Sequence, residues 1–235
     1  MKLIIEDAVL QRFPETRLGV VVARGIDNGR SSAAIAARLA EAQDGLAARF
    51  GTIPVTEHPA IAPWREAYRA FGAKPKDHPS SIENLVRRVL KGHRFGAINP
   101  LVDLYNAVSL THLVPAGGED LDALEGDLRL RFAGDSEVAV SLLGEPEARA
   151  PKPGEVIYAD SQGAVCRRWN WKEAERTKLT EATKNAVLVI EAVAAGQHAA
   201  VEAATTELAG LVREHCGGAS RVAFLSATER QAELG

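Results

Sequence analysis

Residues 166–193 read CRRWNWKEAERTKLTEATKNAVLVIEAV, and the apolar run that closes this stretch is the strongest indication of the fold. The run at 186–193 contains β-branched residues typical of a buried strand. A buried helix can have the same composition, and we interpret the start of the run as a strand. Short apolar or alternating runs bounded by Gly and Pro predict further strands at 18–23, 128–132, 138–142, 156–159, 164–169 and 221–225. Helical composition or periodicity predicts helices at 31–50, 63–71, 81–91, 99–112 and 197–215. This element order predicts an α+β fold with a mixed or antiparallel sheet and helices packed on it.

The segment at the start of the same stretch combines aromatic and positively charged side chains. In a strand, Trp169 and Trp171 would lie on one face and Asn170 on the other. Two indoles on one face form either part of the core or a platform on which a nucleotide base stacks. The flanking Arg167 and Arg168 favour the platform, because positive charge attracts a nucleic acid backbone, and the core is the alternative.

The overall composition is that of an ordinary soluble globular protein. The 235 residues are 46% hydrophobic and 25% charged, with a net charge of −3, so nucleic acid binding would need a local basic patch. No signal peptide is recognisable, and no apolar run approaches the roughly 18 residues of a membrane span. Cys166 and Cys216 lack the spacing of a disulfide framework or a metal site, which predicts a cytoplasmic protein without structural metal. The motifs of covalent hydrolases, zinc hydrolases and nucleotide-driven enzymes are also missing.

Charge is distributed unevenly along the chain. Residues 64–94 contain eight Lys or Arg and three acids, whereas residues 115–160 contain eleven acids and four Lys or Arg. Two solvated faces are one interpretation. The other is a basic surface that binds a polyanion, beside an acidic region that binds a cationic group. The bases that we expect to contact RNA are Lys74, Lys76, Arg87, Arg88, Lys91 and Arg94, together with Arg167 and Arg168.

The predicted helix at 99–112 carries small polar side chains in place of the Lys and Glu of an ordinary surface helix. Asn99, Asp103, Asn106, Ser109 and His112 follow at intervals of three or four residues. This spacing predicts one polar stripe suited to directional hydrogen bonds. A capped helix whose small polar residues face water is the alternative interpretation.

A Gly-Gly pair follows this helix in the sequence PAGGEDLD at 115–122. Gly117 and Gly118 would let the backbone approach a ligand closely, and their N–H groups would stabilise an oxyanion. The neighbouring Glu119 and Asp120 would orient a water molecule or bind a cation. A simple turn is the alternative, because Gly-Gly pairs are common in turns.

Taken together and in order, NPLVDLYNAVSL, PAGGEDLD and CRRWNWKEAERTKLTEATKNAVLVIE resemble the freestanding members of the B3/B4 family. That family is named for the editing domain of the phenylalanyl-tRNA synthetase β subunit, and the similarity covers about residues 71–195. It implies a single editing-type domain over residues 1–235, with an N-terminal extension at 1–60 and a C-terminal helix and strand at 197–225. A synthetase catalytic core and an anticodon domain do not fit within 235 residues, so the resemblance implies an editing module that acts in trans.

In this family the domain hydrolyses the ester that joins a wrong amino acid to the terminal adenosine of tRNA, with no metal, no cofactor and no covalent nucleophile. The resemblance therefore implies tRNA, through its acceptor end, as the partner, and neither DNA nor a membrane. On the matching positions of this chain it implies catalytic roles for Asn106, His112, Gly117, Gly118 and Glu119. It implies substrate binding by Asp103, Ser109, Asp120, Trp169, Asn170, Trp171, Thr177, Thr180 and Thr183.

The resemblance leaves the edited amino acid open. Freestanding members are linked to mischarged tRNAs, including tRNA for arginine that carries canavanine, and the acids Glu119, Asp120 and Asp122 suit a guanidino-like cation. Tyrosine is the residue removed by the synthetase domain, but this chain has GGED where the synthetase form has a glycine-glutamine-proline run. Our best expectation is canavanyl-tRNA for arginine. The alternative is a tRNA- or amino-acid-binding protein that kept the fold without catalysis.

Overall fold

The computed structural model describes residues 1–235 and contains ten strands and seven α-helices. The strands β1 to β10 span Lys2–Ile5, Arg17–Arg24, Ala116–Asp120, Leu128–Phe132, Val156–Asp160, Gly163–Arg167, Lys172–Glu173, Asn185–Ala192, Ala219–Leu225 and Gln231–Glu233. The helices α1 to α7 span Asp7–Arg12, Ala33–Asp44, Leu46–Phe50, Ala62–Ala70, Ser81–Leu90, Pro100–His112 and His198–Cys216. Short 3-10 helices lie at Val55–Glu57, Leu121–Ala123 and Ala195–Gln197.

The strands form two sheets. Sheet A has the order β10-β1-β4-β5-β6-β7, and it is mixed because β1 and β4 are parallel whereas its other pairs are antiparallel. Sheet B has the order β3-β8-β2-β9 and is antiparallel throughout. The predicted α+β class with mixed and antiparallel sheets is therefore confirmed.

Strands β2 and β8 of sheet B are buried on both faces, whereas the edge strand β9 is partly exposed, and this burial explains the continuous apolar sequence of β8. Leu188 and Ile190 belong to the core that sheet B shares with α6 and α7. Val187 and Val189 point the other way, into the core between the two sheets. A strand covered on both faces has no polar side, so its sequence does not alternate. The run at 186–193 is accordingly a strand and not a buried helix.

Helices α5 and α6 each begin at a residue whose side chain caps the helix. Asn99 caps α6, where its Oδ1 accepts a hydrogen bond from the Val102 N–H at 3.1 Å. Ser80 caps α5, where its Oγ accepts from the Glu83 N–H at 3.4 Å. These caps satisfy N–H groups that a helix leaves without an internal partner, and they fix where each helix begins. None of the seven helices combines the length and the apolar composition that a membrane crossing requires.

Several predicted boundaries differ from the structure. The helix predicted at 31–50 divides at Gly45 into α2 and α3. The strand predicted at 138–142 is not a regular strand, because Val140 and Leu142 bridge to two different partners and no continuous ladder forms. Residues 1–60 provide β1 and the central strand β2, so this segment is part of both sheets.

Replacing Gly118 by Ala should destabilise the β3–β8 pair. A Cβ at this position would lie 2.5 Å from Leu188 Cδ2 and 2.8 Å from the Val187 carbonyl oxygen. Because β3 packs on α6 and its outer edge bridges to Lys178, moving the strand away from β8 would disturb other contacts, and we expect Gly118→Ala to lower the free energy of unfolding by about 1–3 kcal/mol. Urea denaturation of both proteins measures the difference.

The matched control is Gly210→Ala in α7, where no atom lies within 4 Å of the added Cβ. Alanine in a helix interior should raise the free energy of unfolding by about 0.5–1 kcal/mol. Equal effects of the two substitutions would contradict the close packing of β3 against β8.

Candidate functional site

A cavity of about 220 Å³ lies between the two sheets. Its walls come from β3 and β8 of sheet B, from β5, β6 and β7 of sheet A, and from the helices α5 and α6. Ten of its 20 lining residues are hydrophobic, eight have polar or charged side chains, and two are the glycines Gly117 and Gly118. Because empty cavities in proteins are lined by apolar side chains, a cavity with this much polar surface indicates a ligand site.

The register of β3 against β8 decides which side chains reach the cavity. Gly117 pairs with Val189 and Glu119 pairs with Val187, and antiparallel partners share a face of the sheet. Glu119 therefore points between the sheets, and so does Glu191, two residues beyond Val189. One wall of the cavity thus carries two carboxylates on neighbouring strands.

The Gly-Gly pair has a different role from the one predicted for it. Gly117 and Gly118 lie in strand β3 and not in a loop. A Cβ at Gly117 would lie 2.9 Å from Glu173 Oε1, and the Gly118 N–H faces the same oxygen at 3.4 Å. The glycines therefore accommodate a carboxylate of the protein itself, and the N–H predicted to stabilise an oxyanion already faces an acid.

Three carboxylates, those of Glu119, Glu173 and Glu191, line the cavity. Glu191 accepts hydrogen bonds from the Tyr158 hydroxyl at 2.5 Å and from the Asn170 amide, so its position is fixed. Glu119 Oε2 is fully buried, and the nearby Thr177 side chain stabilises the ionised form without a hydrogen bond of good geometry. The three acids thus include one carboxylate that two neighbours hold firmly and one that is held more loosely.

Burial keeps these acids closer to their protonated form than surface carboxylates. It raises the pKa of Glu173 to about 7, against the opposing hydrogen bond from Gly118. It also raises the pKa of Glu191 to about 7, although Tyr158 and Asn170 stabilise the charged form. For Glu119, burial and then the charge of Glu173 raise the pKa well above its ordinary value. Near neutral pH Glu173 and Glu191 therefore exchange protons readily, and a bound cation would favour the ionised form of all three acids.

The polar stripe predicted on α6 does not converge on the cavity. Of its members only Asn106, which is half-buried, lines the cavity. Asp103 accepts hydrogen bonds from Ser31 and from a backbone N–H, Ser109 donates to a backbone carbonyl at 2.6 Å, and His112 contacts Glu207 of α7 at 2.6 Å. Each three-residue step along a helix falls about 60° short of a full turn, so Ser109 and His112 have rotated away from Asn106. The roles predicted for Asp103, Ser109 and His112 at the site are not supported by this placement.

The prediction that Trp169 and Trp171 lie on one face of a regular strand is wrong. Strand β6 ends at Arg167, and Arg168 and Trp169 adopt positive φ angles of 47° and 66°, which breaks the alternation. Trp169 is fully buried, with its ring 5.2 Å from that of Trp64, yet it lines the cavity, where its indole N–H helps to stabilise the ionised form of Glu191. Trp169 is therefore a core residue that forms one wall of the cavity.

The other predicted substrate-binding residues form a hydrogen-bonded cluster outside the cavity, and they are Asp120, Thr177, Thr180 and Thr183. Thr183 Oγ1 donates to the Asp120 carboxylate at 2.7 Å and accepts from the Thr180 N–H at 2.9 Å. The Asp120 N–H donates to the Thr177 carbonyl at 2.8 Å. None of these four residues lines the cavity. By contrast, the predicted Asn170 and Trp171 do line it, beside Trp169.

The predicted RNA-binding bases divide into buried and exposed groups. Arg167 is buried in a two-pronged ion pair with Glu155, at 2.9 and 2.8 Å, and so cannot reach a phosphate on the surface. Arg168 is also buried, with its guanidinium over the Trp171 ring. Arg87 is half-buried and pairs with Glu83 at 2.7 Å. The exposed bases are Lys74, Lys76, Arg88, Lys91 and Arg94, of which Arg94 pairs with Asp44.

Sequence analysis identified Glu119 but missed the other charged residues that line the cavity. Glu191 carried a signal, because it is a single acid within the apolar run VLVIEAV, and an acid buried in a strand needs a specific partner. The sequence contains no such signal for Tyr158, Lys172 or Glu173, because nothing in the neighbouring residues distinguishes them from exposed residues of a strand.

The raised pKa of Glu173 predicts a stability that depends on pH. A carboxyl group whose pKa is higher in the folded than in the unfolded chain contributes stability at low pH, and that contribution is lost as the pH rises through about 7. Glu173→Gln removes the charge, so at pH 8 it should raise the free energy of unfolding by about 1–3 kcal/mol and at pH 4 by far less. Urea denaturation at the two pH values measures this. The control Glu175→Gln, at an exposed Glu that pairs with Lys178, should show no such difference. A gain of equal size at both pH values would contradict the burial of the Glu173 charge.

Comparison with known proteins places the chain in a family. The family model described as the B3/4 domain matches residues 63–217. Among solved structures, an N-terminal fragment of the phenylalanyl-tRNA synthetase β-subunit from Pyrococcus horikoshii is similar, with a TM-score of 0.48 and 12% sequence identity. The similarity covers 93% of this chain and 50% of that fragment, so the chain spans half of its length. No curated protein matches the sequence. Because the family match extends over more than half of the 235 residues, the chain belongs to the B3/4 domain family.

Proposed function

We propose that this protein hydrolyses the ester bond of a mischarged aminoacyl-tRNA, acting in trans as an editing deacylase. The observation that carries the proposal is the cavity, whose lining brings the Asn106 amide together with the carboxylates of Glu119, Glu173 and Glu191. A cavity in which a few polar groups converge among apolar side chains is the usual form of a small-molecule site. The resemblance to editing domains and the B3/4 family match support the same assignment.

The reaction adds the oxygen of water to the ester carbonyl carbon and breaks the bond from that carbon to a ribose oxygen of the terminal adenosine. Negative charge develops on the carbonyl oxygen, and the Asn106 amide donates a hydrogen bond to it. The ionised member of the Glu119 and Glu173 pair accepts the proton from water and returns it to the departing ribose oxygen, which leaves as a hydroxyl group. A raised pKa makes this carboxylate a stronger base than a surface carboxylate. Burial raises the pKa of the Cys166 thiol in the cavity, so this group stays protonated and is a poor nucleophile.

The proposed substrate has a positively charged amino acid side chain. Lys172 is the sole basic residue among those that line the cavity, and its ammonium pairs with Glu145. The three acids of the cavity therefore have no internal counter-charge. A guanidino group donates several hydrogen bonds in a plane and fits paired carboxylates, whereas a tyrosyl side chain brings no charge. Canavanyl-tRNA for arginine is the substrate that we propose first.

The proposed contact with the acceptor stem is the exposed basic surface formed by Lys74, Lys76, Arg88, Lys91 and Arg94. Replacing Arg88 and Lys91 together by Gln should weaken tRNA binding at low salt. The slope of log affinity against log salt should become shallower by about 0.7–0.9 for each phosphate that the protein no longer binds. A titration series in increasing salt measures the slope. The control Lys184→Gln, at an exposed lysine that pairs with Asp27, should leave the slope unchanged, and an unchanged slope in the double variant would exclude this surface.

Asn106→Ala should lower the rate of deacylation without preventing tRNA binding. The substitution removes a hydrogen bond that strengthens as charge develops on the carbonyl oxygen, so we expect turnover to fall by about 100-fold. Single-turnover release of the amino acid from a panel of mischarged tRNAs, with and without chelator, measures the effect. His112→Gln is the matched control on the same helix, because His112 contacts Glu207 and lies outside the cavity.

Three outcomes separate the hypotheses. Loss of turnover in Asn106→Ala with normal His112→Gln supports the cavity as the reaction site. Normal turnover in Asn106→Ala with loss in His112→Gln would restore the catalytic role predicted for His112 and place the reaction outside the cavity. Binding of mischarged tRNA with no release by the unmodified protein would favour the non-catalytic alternative.

A further inference from the structure

We propose that Lys172, at the mouth of the cavity, binds the phosphate immediately 5′ to the terminal adenosine of the substrate and exchanges Glu145 for it. This inference rests on the proposed aminoacyl-tRNA substrate and assigns the contact that holds the ester in register with the cavity. It concerns a different place from the exposed basic surface around α5.

The charge of the cavity changes sign between its interior and its mouth. Glu119, Glu173 and Glu191 lie inside, whereas Lys172 is the sole basic residue of the lining. Arg168 and His78 lie beside Lys172, around the Trp171 ring. A ligand that matches this pattern has a cationic group at one end and an anion at the other. An aminoacyl nucleotide has this charge distribution, with the amino acid inside and the phosphate at the mouth.

The resting partner of Lys172 is positioned so that it can be displaced. The Lys172 ammonium pairs with Glu145, and the two side chains are 27% and 35% exposed. Glu145 belongs to a segment that borders the cavity, where Leu143 lines the wall and its N–H donates to the Glu173 carbonyl at 3.0 Å. A partly exposed ion pair is weak, and a phosphate offers a lysine more acceptor oxygens than a carboxylate does. Phosphate can therefore replace Glu145 without disturbing the backbone of the wall.

Trp171 holds the basic groups of the mouth in place. The Arg168 guanidinium lies 4.4 Å and the Lys172 ammonium 4.9 Å from the centroid of the Trp171 ring. The His78 ring also approaches the indole, with 4.6 Å between centroids and an interplanar angle of 68°. Burial and the charge of Arg168 lower the pKa of His78, so near neutral pH the positive charge of the mouth comes from the arginine and the lysine. The indole therefore positions cations through its π face, and this differs from the base-stacking platform predicted from the sequence.

Two small substrates isolate the role of the phosphate. The first is an adenosine esterified at its 3′ oxygen with the accepted amino acid, which has no phosphate. The second is the same ester of cytidylyl-(3′→5′)-adenosine, which carries the phosphate in question. The quantity measured is the ratio of kcat/KM for the second ester to kcat/KM for the first.

Lys172→Gln should lower this ratio about tenfold, because it removes a charge-assisted hydrogen bond to the phosphate. Lys172→Arg keeps the charge and should retain most of the ratio. Glu145→Gln removes the competing carboxylate and should raise the ratio about threefold. Lys178→Gln, which replaces a lysine that pairs with Glu175 and does not line the cavity, is the matched control and should leave the ratio unchanged.

The outcomes distinguish this inference from the proposed function. If both esters are hydrolysed and Lys172→Gln lowers both values equally, the phosphate assignment is wrong and the deacylase proposal stands. A lower ratio in Glu145→Gln would also overturn the assignment. If neither ester is hydrolysed, calorimetric binding of cytidylyl-(3′→5′)-adenosine tests the phosphate assignment without catalysis. Lys172→Gln should weaken that binding about tenfold relative to adenosine, and equal binding would overturn the assignment.

Discussion

The burial of β3 and β8 of sheet B is the constraint on which the site depends. The outer face of this sheet packs on α6 and α7, and its inner face packs against sheet A, so any charged side chain on β3 or β8 enters a region poor in water. Glu119 and Glu191 are such side chains. An ionised carboxylate in this environment is costly unless hydrogen bonds, a water-filled space or a cation stabilise it. The cavity between the sheets provides that space, and the proposed ligand provides the cation.

The carboxylates differ in how the protein holds them, and this difference suits separate roles. Glu191 is fixed by Tyr158 and Asn170, and Asn170 is itself held by the Tyr68 hydroxyl at 2.9 Å. A group fixed by such a network is suited to recognising a ligand, since little order is lost when the ligand binds. Burial, and then the charge of the neighbouring Glu173, raise the pKa of Glu119 against the opposing effect of the Thr177 side chain. That environment favours the exchange of protons, as general base catalysis requires.

The sequence located part of the site through its motifs. Asn106, Glu119 and the segment from Trp169 to Trp171 come from three separate motifs, and the structure brings them to one cavity. The predictions failed where they extrapolated a regular period. Residues three apart on α6 are rotated progressively around the helix, so His112 faces Glu207 of α7 and not the cavity. The positive φ angles at Arg168 and Trp169 end the alternation of β6. A local period predicts a shared face only while the backbone geometry stays regular.

The sequence by itself determined the class of fold, the identity of most helices and strands, and the resemblance to B3/B4 domains, because these depend on local composition and on ordered motifs. Only the tertiary structure decided that Glu173 of β7 and Glu191 of β8 face the same space as Glu119, and that Gly117 leaves room for the Glu173 carboxylate. The register between strands and the packing of one sheet on another set those distances. Contacts between residues far apart in the chain fix both, and no local spacing encodes them.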